Sequence, residues 1–503
     1  MEPKRIIGMR AFPNRSRRIE KSPGNALNLS IPGEHSGSIF NMVIIVALLI
    51  IISPSCTLFV PGLRSAPQGD MPEMFSLYTP GRELSSSWWK EFDDPELNAL
   101  IVRALSENFG LKEAWQRLRQ AQALAVKAGA GSYPDLSLSA ADSRSRIRSD
   151  DGSGSLSLTA SDYSMGLVSS YELDIWGRIR SEQEAIRLET AASREELNAA
   201  AMTLTASATT LWINIISQRM QKQLLERQLE TNKTYLELVE LRFRKGVVSA
   251  LDVYQQRQTV EQVRGQIPLI QAEEQLLMHE LSLLLGKSPR SEVLITRKAL
   301  PDISDVPATG LPAELLASRP DVRAAGLRLQ AADWKTSAAK ADRLPALNLT
   351  GTASFGADHL DIIFDNWLLR LAGNLTAPIF DGKRRKAEVE RTLAKADESL
   401  WAYRRTVYTA IKETEDALIR EKKQRQHIKV LEAETDAAQK AFDQAITRYR
   451  KGLSDYLPVL TQLQKVQNLE KEMIQQKTGL LIYRVNLHRA LGGTWTDSLT
   501  SEG

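Results

Sequence analysis

The chain has 503 residues, more than one compact domain usually holds, so it is either several domains or one elongated architecture. Hydrophobic residues at 43% and charged residues at 25% exclude wholesale disorder, and a net charge of +4 (65 basic, 61 acidic) gives no basis for a nucleic-acid partner. A single cysteine, Cys56, excludes an intramolecular disulfide and a Cys-rich zinc site.

Residues 1–38 carry seven basic residues, and an uncharged apolar run of eleven follows from Met42 to Ile52. That run is short for a ~30 Å hydrocarbon core and fits the apolar stretch of a secretory signal. Ser53, Pro54, Ser55 and Cys56 follow it. A lone cysteine there is the layout of a bacterial lipoprotein, whose thiol takes a diacylglyceryl group. The plainer reading, an ordinary signal with a chance cysteine downstream, stands beside it. Residues 1–55 are assigned to the signal segment and 56–92 to an N-terminal extension. No other apolar stretch is expected to cross a membrane as a helix.

The remainder is a tandem repeat. RFRKGVVSALDVYQQ (242–256) matches RYRKGLSDYLPVLTQ (448–462) at an offset of 206, without gaps, down to LLLG (283–286) against RALG (489–492). YPDLSLS (133–139) matches LPALNLT (344–350) at an offset of 211. The repeats run over 93–287 and 313–493, joined by a proline-rich linker at 288–312 and followed by a tail at 494–503. Each opens with a short helix pair, at about 95–130 and 312–342.

Strand patterns come next. Residues 345–355 and 367–379 alternate between apolar odd positions and polar even ones; 134–140 and 156–175 do the same, with a slip near Ser161–Asp162. The long strands have no further helices to cover an apolar sheet face, which favours a membrane barrel over a soluble sheet. Four strands cannot close a barrel, because open edges in lipid leave backbone groups unsatisfied. Three chains would supply twelve strands, an even number that closes.

Each repeat then has a stretch free of Gly and Pro, 178–245 and 383–451, with apolar residues at spacings of three and four. Such a helix is roughly 100 Å long and must lie against other rods. Both stop at RKG, where Gly246 and Gly452 suit a left-handed helix end. A second helix follows at 249–285 and 455–491, making a helical hairpin in each repeat.

No HExxH, Walker A or GxSxG motif is present, and GAGS (129–132) precedes a strand instead of opening a helix. The acidic doublets Asp93–Asp94, Glu195–Glu196 and Glu273–Glu274 read as solvated faces, and His279, His427 and His488 as isolated packing or surface residues. The chain is therefore not expected to be an enzyme, and neither a metal site nor a cofactor is expected.

SCTLFVPG (55–62), WWKEFDDPELNALIVRAL (88–105), the YPDLSLS strand, SRPDVRAAGLRLQAA (318–332) and both RKG tips together resemble the TolC-like outer membrane factor family, in its NodT/OprM lipoprotein branch. The resemblance implies a homotrimer. Its fold is mainly α with a membrane β-barrel: duplicated long hairpins form a periplasmic α-barrel, and four strands per protomer complete a twelve-stranded barrel. It implies the passive exit duct of a tripartite efflux system. The partners would be a periplasmic adaptor and an inner membrane transporter of the resistance-nodulation-division type, with lipidation at Cys56. A protein-secretion duct of the same fold and a periplasmic coiled-coil scaffold are the competing readings. On the matching positions, the resemblance makes Arg242, Arg244, Lys245, Gly246, Val248, Ser249, Leu251, Asp252, Gly452, Leu453, Ser454 and Leu457 adaptor-docking residues. It makes Arg448, Arg450, Lys451 and Asp455 the periplasmic entrance, with Asp455 the candidate inward carboxylate and Arg448 its partner.

Overall fold

The computed structural model describes residues 59–62, 64, 72–77, 87–150, 155–303, 306, 312, 318–493 and 495–499. The signal segment and Cys56 lie outside them. The helices are α1 (Pro95–Glu107), α2 (Phe109–Ala130), α3 (Arg178–Arg244), α4 (Ala250–Leu284), α5 (Pro320–Ala341), α6 (Arg384–Arg450) and α7 (Leu457–Leu491). The strands are β1 (Asp135–Asp150), β2 (Ser155–Leu173), β3 (Ala346–Ala357) and β4 (Trp367–Thr376). The long helices α3 and α6 have 67 residues each, and their returning partners α4 and α7 have 35 each. In place of the second expected short pair the described residues contain α5; residues 313–317 lie outside them.

The strands form one antiparallel sheet in the order β1-β2-β3-β4. Their register puts Leu136, Leu138, Met165, Leu167, Leu347, Leu349, Ala353, Phe355, Trp367, Leu369, Leu371 and Leu375 on one face. Ser137, Ser139, Ser170, Asn348, Thr350, Thr352, Arg370 and Asn374 share the other. The apolar face is bare: Trp367, Leu369 and Leu371 are each more than 70% exposed. β1 continues to Asp150, ten residues beyond the alternating segment expected at 134–140. The slip near Ser161 is no slip in pairing, because the β1–β2 register runs unbroken from Asp135↔Ser170 to Asp150↔Ser155. The side-chain chemistry changes sides instead. Beyond β3 and β4, Ile147 and Leu158 pair on the otherwise polar face, while Arg144, Arg146 and Arg148 continue the apolar one.

The helices pack as open layers. Next to the sheet the neighbours run α2-α3-α5-α6; toward the hairpin tips they run α4-α3-α7-α6. At every level the protomer is thus four elements wide with two uncovered flanks. The edge helices carry exposed apolar residues: Val126 on α2, Leu269 and Leu276 on α4, Trp401 and Val430 on α6.

The central core lies where the N-terminal segment meets the long helices, around Trp88, Trp89, Phe92, Ile101, Trp212, Ile215, Leu281 and Val485. The uncharged run 197–218 of α3 crosses it. Contrary to expectation, α3 contains a window long and apolar enough to span a membrane, with mean hydropathy 1.3; 61% of it is buried within the protein, as in the core helix of a soluble layer.

In the acidic doublets Asp93, Glu196 and Glu273 are exposed as read, whereas Asp94, Glu195 and Glu274 are drawn into the protein. Asp94 is buried, accepts from the Leu97 N–H at the start of α1 and pairs with Arg297 at 2.7 Å. Glu195 pairs with Arg323 at 2.7 Å, Glu196 with Arg328, and Glu274 with Arg219 at 2.7 Å. These partners lie far off in sequence, which hid them. His488 is likewise no isolated helix residue: it is buried, stacks on Trp88 and meets Glu91 at 2.7 Å. Beside it Arg484, fully buried, bridges Glu421 at 2.7 Å and Glu91 at 2.8 Å, tying the N-terminal segment to both helices of the second hairpin.

Candidate functional site

The two hairpin tips close alike. Gly246 and Gly452 sit at φ +70° and +72°, where side-chain-bearing residues are strained. The Val247 N–H donates to the Arg242 carbonyl at 3.0 Å, and the Leu453 N–H to the Arg448 carbonyl at 2.9 Å, the left-handed helix ending that the glycines signal.

One residue later the tips diverge. Ser249 begins α4 with a reciprocal cap: the Asp252 N–H donates to Ser249 Oγ at 3.3 Å, and the Ser249 N–H to Asp252 Oδ2 at 3.0 Å. Ser249 and Asp252 therefore have a helix-capping role whatever else they touch. At the offset of 206, Asp455 and Pro458 replace them. α7 starts at Leu457 with Tyr456 as its N-cap residue and no side-chain cap. The second tip thus lacks the cap of the first, and Asp455 is exposed. Asp455 and Arg448 do not pair within the protomer among the described residues.

Tyr456 holds the second tip against the first hairpin. Its side chain is buried, and its hydroxyl donates to Gln256 Oε1 of α4 at 2.8 Å. Gln256 Nε2 donates to the Asn232 carbonyl at 2.8 Å, and Asn232 Nδ2 donates to Gln467 Oε1 of α7 at 3.1 Å. This buried chain links α3, α4 and α7. Burial, and secondarily the neighbouring Tyr449, pushes the Tyr456 phenol well above its ordinary range, so it stays a neutral donor at physiological pH. The Arg242 guanidinium adds a second link, 4.2 Å from the centre of the Tyr449 ring.

Of the other expected residues, Arg244, Lys245, Arg448, Arg450 and Lys451 are exposed, and Val248 and Ser454 are half-buried. Leu251, Leu453 and Leu457 are exposed apolar residues. Val247 and Tyr254, each more than 60% exposed, join them and were missed by sequence reasoning. The signals were available: Val247 is the repeat equivalent of Leu453, and Tyr254 follows Leu251 by three residues on one helix face. Tyr456 was missed as well. Its signal was a bulky aromatic where the first repeat has Ala250.

Comparison with known proteins places this geometry. The outer membrane efflux protein family matches residues 100–287 and 311–493. The pyoverdine export outer membrane protein OpmQ of Pseudomonas aeruginosa is 31% identical over 434 residues, covering 84% of this chain and 91% of that protein. Outer membrane protein OprJ of Pseudomonas aeruginosa is 30% identical over 464 residues, covering 90% and 96%. The solved outer-membrane channel OprN superposes with a TM-score of 0.81 at 28% identity, covering 87% of this chain and all of that one. The open four-stranded sheet is accordingly one third of a twelve-stranded barrel completed by three protomers, with its bare apolar face toward lipid and the helices forming the α-barrel. The protein is an outer membrane efflux channel, and by sequence, fold and the matched span of both repeats the chain belongs to the outer membrane efflux protein family.

Proposed function

We propose that this channel is the passive exit duct of a tripartite system, fed by an inner membrane transporter of the resistance-nodulation-division type through a periplasmic adaptor, and gated at the second hairpin tip. The duct does no covalent chemistry. The observation that carries the gate is the unequal capping of the two tips. The first tip is fixed by its own Ser249–Asp252 cap, whereas the second has no cap and is held by contacts to the first hairpin, the Tyr456–Gln256 hydrogen bond being the one nearest its turn.

A gate needs two states of similar free energy, and an adaptor opens it only by favouring the dilated one. Breaking one buried hydrogen bond while leaving Gln256 Oε1 unsatisfied costs about 1–3 kcal/mol, enough to shift a two-state equilibrium by roughly fivefold to a hundredfold. Asp455 would act across the protomer boundary, facing cations of a neighbouring tip. Both Asp455→Ala and Tyr456→Phe are expected to raise the single-channel conductance of the isolated trimer in planar bilayers. Unchanged conductance in either variant removes that residue from the gate.

The exposed apolar tip residues Val247, Leu251, Tyr254, Leu453 and Leu457, flanked by Arg244, Lys245, Arg450 and Lys451, would form the adaptor's docking surface. Affinity capture of the intact channel should bring down an adaptor and a transporter. Replacing Leu251 and Leu457 by Asp should abolish that capture while leaving the trimer intact, and undiminished capture would move the docking surface elsewhere. Cys56 would carry the lipid anchor. The N-terminal peptide of the mature protein should then be heavier by a diacylglyceryl group and lose that mass in Cys56→Ala; an unmodified thiol would refute it.

A further inference from the structure

The upper end of the sheet has a feature that a passive duct does not require. The helices join β1, β2, β3 and β4 at one end, so Asp150 at the end of β1 and Ser155 at the start of β2 lie at the opposite, outward end. On the lipid face the apolar belt runs from Leu375 up to Trp367, eight residues or roughly 27 Å along the strand. At a strand tilt of about 35–45° that is roughly 19–22 Å of height, which fills most of the ~25 Å band of outer membrane barrels. Its upper rim is aromatic: Trp367 pairs with Phe355, Phe364 packs on Phe355 at 5.3 Å, and Tyr163 stands beside Ala357.

β1 and β2 alone continue above this rim. The first position of β1 past Ala140 on the lipid face is Asp142, opposite Tyr163; the next three are Arg144, Arg146 and Arg148, opposite Ser161, Thr159 and Ser157. All three arginines are exposed, and Arg146 Nε donates to Ser157 Oγ at 3.0 Å. Successive same-face positions on a strand are about 7 Å apart. Three guanidiniums therefore rise in a column on β1 above the height of the aromatic rim that β2, β3 and β4 carry on the same face, while the same stretch turns Ile147 and Leu158 to the opposite face. This inverts the usual apolar-outward pattern at the height where the apolar membrane gives way to head groups.

We infer that the Arg144–Arg146–Arg148 column binds the phosphorylated glycolipid head groups of the outer leaflet. Continuity with the lipid-contacting face selects a membrane lipid over a soluble anion. Guanidinium forks suit phosphate oxygens, donating to them in a bidentate geometry that an ammonium group cannot match. The occupant would hold the barrel at a fixed depth and cement the leaflet around it.

The test uses the full-length trimer in detergent, with purified bis-phosphorylated lipid A as probe and binding read by native mass spectrometry. Changing Arg144, Arg146 and Arg148 together to Gln should weaken lipid A binding by roughly a hundredfold, taking a contribution near tenfold or somewhat less per basic residue at an anionic surface. Dephosphorylated lipid A should bind wild type and variant equally weakly. Arg370→Gln, on the opposite face of the sheet, should bind like wild type. Heat-modifiable gel migration checks that each trimer is intact. Equal lipid A binding by wild type and the triple variant overturns the proposal. So does displacement of lipid A by millimolar inorganic phosphate, which would make the column a simple anion site. Loss of the trimer with lipid A binding retained by its folded remainder would reassign the arginines to the seam between protomers.

Discussion

Arg484→Met is expected to destabilise the folded channel by about 3–5 kcal/mol, the range for removing one partner from a buried ion pair. Arg484 and Glu421 are both fully buried. Without the guanidinium, the Glu421 carboxylate keeps, among the described residues, Arg425, which lies toward the surface at 3.0 Å. Glu91 also loses its 2.8 Å partner, loosening the N-terminal segment from α7. The loss should appear as a lower temperature for trimer dissociation on gels and for the helical melt by circular dichroism. The double variant Arg484→Met with Glu421→Leu should recover much of it, since the cost lies in the stranded charge more than in the pair. A single variant that melts like wild type would show that the interior there is wetter than its burial implies.

The second large effect is expected at two glycines that end the returning helices. Gly286 follows α4 at φ +68°, and Gly492 follows α7 at φ +81°. A methyl group on Gly286 would stand 2.3 Å from the Glu107 carbonyl oxygen, and one on Gly492 would stand 2.6 Å from that of Ser318. Both distances end at backbone, which cannot rotate away. At Gly286 left-handed strain of about 1–2 kcal/mol adds to an overlap costing about 1–3 kcal/mol, and at Gly492, whose ψ of −140° lies near a region essentially confined to glycine, the backbone contribution is about 1–3 kcal/mol. Gly246→Ala and Gly452→Ala have nearly the same φ but open space around the missing side chain, so they should show the strain alone. Comparing trimer yield and melting temperature across the four alanine variants separates the two contributions. Equal effects at all four positions would mean that the close approach relaxes.

These glycines also show what the sequence could disclose. Their repeat relationship was visible in LLLG against RALG, and the absence of Gly and Pro marked both long helices nearly to the residue. The hairpin tips were legible because RKG combines a cation and a flexible residue at a helix end. Packing partners were not legible. Glu195 and Arg323 are 128 positions apart, and Tyr456 and Gln256 are 200 apart, so no local pattern signals either contact. The upper part of β1 was hidden for another reason. An alternation rule that takes apolar residues as lipid-facing fails once a strand leaves the apolar zone, and there arginines occupied the outward positions. The alternation was intact; its meaning had reversed. The exposed Asp455 could be found by motif, but that it lacks the capping role of Ser249 required the backbone geometry of both tips.

The two uncovered flanks of the four-element layer bear on biogenesis. A newly exported polypeptide cannot enter the bilayer by itself, so insertion must await the meeting of three copies. Pore formation is then of high order in free protomer, so its rate falls more steeply than the protomer concentration does.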